Sequence, residues 1–442
     1  MGVNWMIKKA LTIAGSDSGS GAGIEADLKT FCSFGVYGLV AITAITAQNT
    51  YEIREIRELD AKIVREQIIA VAEDFGVDAA KTGMLYSGEI IKEVRKVVKD
   101  YQFPLVVDPV MLSKTNTLLL KEDAIEKLEN LFKISTLITP NINEAEFLSS
   151  KKITNLDDAI EVAKTLFEKY KTNILIKGGH LKGEAIDILY NGELKLFKSQ
   201  RVSGCTHGTG CSFSAAITAC LAKGEELEEA IKKAKDFIIK SIRNSYRIGK
   251  KYCPVNSLSI LEEKAKRWET YRELKESVKE LISLNPLHLI PEVGSNFVYS
   301  LPYPYNKDIN DVAGVEGRIV KTKRRVVPVG DIDFGVSDHL ARAILTYMEF
   351  YPEVRSCLNI KYSEKTIEKA KKYFKVSFYD RRKEPEDVKK REGATIPWGV
   401  REALKFGKVD IIYHLGDYGK EPMILIFGKN PKEVLEKLRL LI

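Results

Sequence analysis

Over the first ~250 residues, short apolar runs alternate with stretches of helical periodicity. The apolar runs include Ala10–Ala14, Leu39–Ala47, Leu105–Val107, Leu137–Thr139 and Ile174–Ile176. Between them, Val64–Phe75, Ile90–Val98 and Ala159–Phe167 place apolar residues three and four apart. Strands alternating with amphipathic helices predict βαβ units and a parallel sheet. The segment Ile186–Phe197 carries Asn191-Gly192 at its centre, a strong hairpin signal because both turn positions need positive φ. A long helical pattern from Leu227 to Tyr246 closes this part.

Pro254 and Asn256 then break the pattern. Ser257 to Ser283 reads as one highly charged helix. Beyond Pro286 the texture changes: Pro291, Gly294, Pro302 and Pro304 open a loop-rich start, followed by mixed strands and helices. The expected organisation is an α/β domain over 1–255, a charged linker helix over 256–279 and a mixed α/β domain over 280–442.

Composition narrows the class. A length of 442 residues suits two or three domains, and 44% apolar with 29% charged residues suits a globular protein. No apolar run is long enough to span a membrane, and MGVNWMIKK lacks the charged-then-apolar order of a secretory signal. A cytoplasmic enzyme with no membrane partner is expected. The six cysteines form no CxxC pair, and with five histidines no zinc spacing appears, so reduced cytosolic thiols are expected. Six of the eight net positive charges lie beyond residue 257, where 34 Lys and Arg face 28 Asp and Glu. Such a balance suits phosphate-bearing small molecules or nucleic acid. The helical runs 364–375 and 381–391 read equally as solvated charged faces. With no aromatic-interleaved basic motif or zinc finger, no nucleic-acid partner is expected.

Three segments of the first domain could carry chemistry. The run from Ala14 to Gly23, AGSDSGSGAG, follows a strand and opens a helix, though its glycine spacing is not that of a dinucleotide fingerprint. By itself it is also an ordinary glycine turn. Thr206-His207-Gly208-Thr209-Gly210-Cys211 runs into an apolar helix, and successive N–H groups at such a start form an anion site. Cys211 falls in its first turn, where the helix dipole would lower a thiol pKa; a packing role is the alternative. Asn141 and Glu144 lie three apart at a strand-to-helix junction, placed to hold Mg²⁺ through water or to cap the helix. No GxxxxGK[ST] loop occurs, so any ATP is bound without a P-loop.

The runs LTIAGSDSGSGAGIEADLKTF, AITAQNT, KTGML, DPVML, TPNINEAE, KGGH and THGTGC, in that order over about residues 8–250, resemble hydroxymethylpyrimidine/phosphomethylpyrimidine kinase of the ribokinase-like superfamily. The resemblance implies a doubly wound sheet flanked by helices, with ATP and Mg²⁺ used at the strand ends. It implies that Asp27 and Gln48 bind the aminopyrimidine edge and that Met84 and Val110 pack its ring. Gly208, Thr209 and Gly210 would form the anion hole, with Lys177 and His180 on the nucleotide side and Asn141 and Glu144 at the metal. Cys211 stands where related sugar kinases carry a catalytic Asp, which makes it the candidate base. Ser113-Lys114-Thr115-Asn116 departs from the pattern, since a Gly is expected after Lys-Ser/Thr.

In the second domain, Gly314–Ile319 is a loop with one arginine, Arg318, and Asp331–Arg342 is an acidic turn entering a helix, with Ser337 a plausible N-cap before His339. Read alone, either residue is also an ordinary surface or capping side chain. Asp380–Pro385, Trp398–Val400 and Tyr413–Pro422 read as loops that between them carry glycine and charge, as binding sites do. The segments PEVGSN, GVEGRI, DFGVSDHLARAI, DRRKEP and HLGDYGKEP are similar to the ThiN-type thiamine-phosphate synthase domain, over about 280–442. That resemblance implies condensation of hydroxymethylpyrimidine diphosphate with hydroxyethylthiazole phosphate, with Arg318 and His339 essential. The expected partners are therefore the pyrimidine, ATP and thiazole phosphate, in a homo-oligomer. Two alternatives stand beside this: a C-terminal domain that only senses thiamine phosphate, and a pyridoxal-type vitamin kinase in the first half.

Overall fold

The computed structural model describes residues 7–111, 119–179, 184–417 and 420–442. The chain forms two compact units, one through Leu261 and the other from Glu262 to Ile442. The first is built on a nine-stranded sheet of β1 (Lys9–Asp17), β2 (Tyr37–Gln48), β3 (Ile53–Glu58), β4 (Ala79–Thr82), β5 (Leu105–Val107), β6 (Leu137–Ile138), β7 (Asn173–Ile176), β8 (Ala185–Tyr190) and β9 (Leu194–Ser199). The spatial order is β3-β2-β1-β4-β5-β6-β7-β8-β9. The central six strands, β2-β1-β4-β5-β6-β7, pair in parallel, and β3, β8 and β9 are antiparallel additions at the edges. Both faces are buried, and β5, β6 and β7 are accordingly almost wholly apolar. Val107, Ile138 and Ile176 face one helical layer, while Val106, Leu137 and Leu175 face the helices Thr209–Ala222 and Leu227–Arg243.

The predicted doubly wound sheet is therefore present. The hairpin forms at Asn191-Gly192, with Gly192 at φ +102°. β4 carried no apolar signal, because Ala79-Ala80-Lys81-Thr82 contains a lysine that is fully buried. One expectation is overturned here. Cys205 and Cys253 form a disulfide with Cα atoms 5.1 Å apart, so the thiols are not all reduced. Their 48-residue separation hid a pairing made close by the fold.

The second unit carries a seven-stranded sheet and a two-stranded ribbon. Its strands are β10 (Phe297–Ser300), β11 (Val312–Val315), β12 (Ile319–Lys321), β13 (Val326–Pro328), β14 (Ile332–Phe334), β15 (Ser356–Lys361), β16 (Val376–Phe378), β17 (Ile411–His414) and β18 (Met423–Gly428). The large sheet has the order β14-β11-β10-β15-β18-β17-β16, antiparallel except for β16 beside β17. This is the expected mixed α/β domain. The predicted helix over 381–391 is corrected: Pro385 divides it into a 3₁₀ turn, Arg381–Lys383, and a short helix, Glu386–Lys389.

The charged segment is one helix, Ser259–Leu284, but it is not a free linker. Leu274, Val278 and Leu281 are buried in the core of the second unit beside Phe297 and Ile426. A fragment of residues 262–442 is expected to fold on its own. One beginning at 280 lacks Leu274 and Val278 and should melt markedly lower, since each large apolar side chain lost from a core costs about 2–5 kcal/mol. Thermal melts followed by circular dichroism decide this, and equal midpoints would return the helix to linker status.

Candidate active sites

In a doubly wound sheet, ligands bind beyond the carboxyl ends of the parallel strands. Here those ends carry Asp17 after β1, Gln48 at the end of β2, Met84 beyond β4, Asp108 and Val110 beyond β5, Asn141 beyond β6 and Lys177 beyond β7. Met84 and Val110 belong to one small apolar cluster with Ala44 and Leu119, and a β-carbon on Gly15 would lie 3.1 Å from the Met84 Cε. The end of the Met84 side chain thus packs directly on the Gly15 backbone. Gln48 is half-buried. Its side-chain oxygen lies 3.5 Å from the Thr46 hydroxyl, while its backbone pairs with the Ser18 hydroxyl on the glycine run.

The turn at Thr206–Cys211 is held by the glycine run. Gly208 has φ +79°, and a β-carbon there would collide with the Gly21 carbonyl at 1.8 Å. Only glycine allows these two loops to meet. Asp17 organises the other side by accepting from the N–H groups of Gly19, Gly21 and Ala22 at 2.8, 3.1 and 2.9 Å, with His207 Nε2 3.7 Å away. Burial alone would raise the Asp17 carboxyl, but His207 and these donors outweigh it and hold the pKa low. Sequence reasoning passed over Asp17 and His207; the signal was an acid and a histidine inside the two glycine runs.

Lys177 Nζ contacts Asp108 Oδ1 at 2.6 Å, and a β-carbon on Gly210 would lie 3.4 Å from that ammonium. The expected nucleotide-side lysine therefore sits against the glycine turn. Burial works against its charge, but Asp108 and Glu144 outweigh it and keep the pKa raised. Thr139 and Ser214 also donate to Asp108, at 3.2 and 3.4 Å. His180 lies outside the described residues, as do Ser113 to Asn116.

Three expectations change. Asp27 is fully buried, with Lys81 Nζ 2.9 Å from both its oxygens and the Thr12 hydroxyl at 2.6 Å. The helix Gly23–Ser33 turns it onto the sheet, so it shows no oxygen to a ligand. Asn141 and Glu144 form a capping box: the Glu144 N–H reaches Asn141 Oδ1 at 3.0 Å, and the Asn141 N–H reaches Glu144 Oε2 at 2.8 Å. One lone pair of the asparagine oxygen is thereby used. Glu144, pushed up to about 7 by burial against the pull of Lys177, shares its neighbourhood with Asp108. Two neighbouring carboxylates beside the glycine turn offer oxygen donors of the kind a hard cation takes. Cys211 opens the helix Thr209–Ala222 as expected, yet burial pushes its thiol up to about 11 despite Lys81. Desolvation outweighs the helix start.

In the second unit, Arg318 leaves the end of β11 with φ +75°, a left-handed conformation that costs a non-glycine residue energy. It directs NH1 to the Val293 carbonyl at 2.6 Å. Glu421, missed from sequence, receives the N–H groups of Glu292 and Val293 at 3.1 and 3.2 Å. The segments PEVGSN, GVEGRI and HLGDYGKEP thus converge through hydrogen bonds between the Arg318 and Glu421 side chains and the backbone of Glu292 and Val293. His339 is exposed in the first turn of the helix Asp338–Met348. The preceding Ser337 packs over Gly314 of β11, where a β-carbon would come within 3.2 Å of the serine's own. Ser337 holds the N-cap position without making a side-chain capping bond. Asp338 would repel an anion there, but Arg342 pairs with it at 2.7 Å.

Among the described residues, no helix is long and apolar enough to cross a membrane, and no group of three or more His, Cys, Asp and Glu could hold a metal. Comparison with known proteins bears on both halves. Residues 17–256 match the phosphomethylpyrimidine kinase family and residues 273–440 match thiamine-phosphate synthase ThiN. The bifunctional thiamine biosynthesis protein ThiDN of Methanocaldococcus jannaschii is 38% identical over 98% of this chain and 97% of its own. Hydroxymethylpyrimidine/phosphomethylpyrimidine kinase of Bacillus subtilis is 43% identical over 58% of this chain and 96% of its own. The crystal structure of an ADP complex of Bacillus subtilis pyridoxal kinase covers 58% of this chain and 99% of its own, at 39% identity and a TM-score of 0.54. With both halves matched in order and a relative aligned from end to end, the chain belongs to the bifunctional thiamine-biosynthesis family that joins a phosphomethylpyrimidine kinase to a ThiN-type thiamine-phosphate synthase.

Proposed function

We propose that the first unit phosphorylates 4-amino-5-hydroxymethyl-2-methylpyrimidine and then its phosphate, and that the second condenses the diphosphate with hydroxyethylthiazole phosphate. The observation that carries the first step is the meeting of Lys177, Asp108 and Gly210 at the strand ends. The pyrimidine ring packs against Met84 and Val110, with the Gln48 amide at its polar edge. The N–H groups of Gly208, Thr209 and Gly210 and the Lys177 ammonium stabilise negative charge on the transferred phosphoryl group of ATP. Asp108 and Glu144 are the residues that would hold Mg²⁺, which supplies charge neutralisation to the phosphates when bound. Cys211 stands where the substrate hydroxyl releases its proton. Asp27, with Lys81, holds the floor of the site and makes no substrate contact.

Gln48→Leu should raise the KM for the pyrimidine at least tenfold and leave that for ATP within twofold. Loss of one ligand-facing amide leaves the ring's polar edge unpaired, at a cost of about 1–3 kcal/mol. Equal shifts for both substrates would make Gln48 a structural residue.

In the second step a C–N bond forms to the thiazole as the C–O bond to diphosphate breaks, and the electron pair leaves with the diphosphate. Arg318 and His339 take up that growing charge. Incubating the purified chain with ATP, Mg²⁺, the pyrimidine alcohol and thiazole phosphate tests both halves. Thiamine phosphate is the expected product; pyrimidine diphosphate alone would make the second unit a sensor.

A further inference from the structure

Three segments that read as loops in the sequence meet at one place in the second unit, although Trp398–Val400 proves helical. Tyr379 follows β16, His414 ends β17, and Trp398 and Gly399 lie on the helix Thr395–Leu404. Tyr379 is 3% exposed and packs edge-on against Trp398 and at 5.2 Å from the His414 ring. Its ring lies on Gly399, where a β-carbon would come within 2.4 Å of Tyr379 Cε2. Arg381 stands close enough that its charge acts on both Tyr379 and His414.

Hydrogen bonding in this cluster is incomplete. Among the described residues, the Tyr379 hydroxyl and Arg381 Nε are buried without a partner. His414 is 5% exposed, and burial together with Arg381 pulls its pKa down to about 4, so it is neutral. Its Nδ1 accepts from the Gly416 N–H at 3.1 Å, which assigns the ring proton to Nε2. The nearby Glu384 is already engaged by the Thr395 hydroxyl at 2.6 Å. What this cluster offers is therefore donors: a phenol, a guanidinium edge and an imidazole N–H. Buried donors without acceptors are costly unless a ligand supplies the acceptors.

The cluster also lies at the right end of the sheet. His414 pairs with Met423, Met423 with Lys361, Phe378 with Tyr413 and Phe297 with Leu358. These registers put the Tyr379 and His414 end of the sheet together with the Val315 end of β11, from which Arg318 departs. We propose that Tyr379, Arg381 and His414 bind the phosphate monoester of the thiazole substrate, leaving the diphosphate of the pyrimidine to Arg318. This rests on the synthase reading and assigns its second reactant a site.

The test uses the full chain and titrates thiazole phosphate by calorimetry, which needs no turnover, with inorganic phosphate and diphosphate as separate probes. Tyr379→Phe and Arg381→Gln should each weaken thiazole phosphate binding at least tenfold and leave diphosphate binding within twofold. Tyr379→Phe without ligand should melt at or above the parent temperature, because it removes a buried hydroxyl that has no partner. A purely structural tyrosine would lower the melting temperature and leave the binding constant alone, and that result overturns the proposal. So would a parent that does not bind thiazole phosphate, or variants that lose diphosphate equally. Should Arg381→Gln fail to fold, Arg381→Lys carries the same expectation. A chain that binds thiazole phosphate through Tyr379 yet makes no thiamine phosphate keeps this site and rejects only the synthase reading.

Discussion

Cys211→Ala should lower the kinase turnover by about 10²–10⁴-fold, the range for a positioned proton acceptor, while nucleotide binding stays nearly intact. Cys211 heads the helix Thr209–Ala222, immediately after Gly208, Thr209 and Gly210. The pH dependence carries the sharper information. Burial pushes the thiol up to about 11, so at neutral pH the folded protein holds it protonated. A group whose folded pKa is raised gains its thiolate only as pH rises. If the thiolate accepts the hydroxyl proton, turnover under saturating substrates should climb about tenfold per unit between pH 7 and 9. Cys211→Asp should keep more activity than Cys211→Ala and show a flatter profile, since a carboxylate does not wait for alkaline pH. A flat parent profile together with an active alanine variant would leave Cys211 as a packing residue. Phosphoryl transfer would then run on positioning and charge alone, as its loose transition state permits.

Why the fold was legible and parts of the site were not follows from which physics each depends on. β5 and β7 announce themselves because a strand buried on both faces must be apolar throughout. β4 does not, because Lys81 sits in it, and a buried lysine makes sense only once Asp27, 54 residues earlier, is known to face it. The same long-range pairing turns both Asp27 oxygens toward Lys81 and Thr12. A capping role for Asn141 was one reading of the segment, and only the backbone geometry shows that Glu144 completes the box. Cys205 and Cys253 carried no local signal of pairing. The Tyr379 cluster is drawn from loops separated by up to 35 residues, assembled by the parallel pairing of β16 with β17. Local pattern specifies elements; buried polar pairs depend on the topology that brings them together.

Arg318→Ala and His339→Ala should each reduce thiamine phosphate formation by about 10²–10³-fold without touching the kinase, the scale for loss of one donor to a developing anion. A further variant separates function from stability. Arg318 occupies a left-handed conformation at φ +75°, directly after Gly317 at φ +63°. That conformation costs a side-chain-bearing residue about 1–2 kcal/mol and costs glycine almost nothing. Arg318→Gly should therefore be at least as stable as the parent in thermal melts and still lose the synthase activity. Arg318→Lys should not restore it, because an ammonium lacks the planar fork that grips a diphosphate. The assay supplies pyrimidine diphosphate directly with thiazole phosphate and Mg²⁺ and follows thiamine phosphate. A glycine variant that is less stable and equally inactive would place Arg318 in the scaffold, holding the Val293 carbonyl, and not at the reacting diphosphate. Full activity in both alanine variants would keep the synthase reading and move its chemistry to other residues at the same end of the sheet.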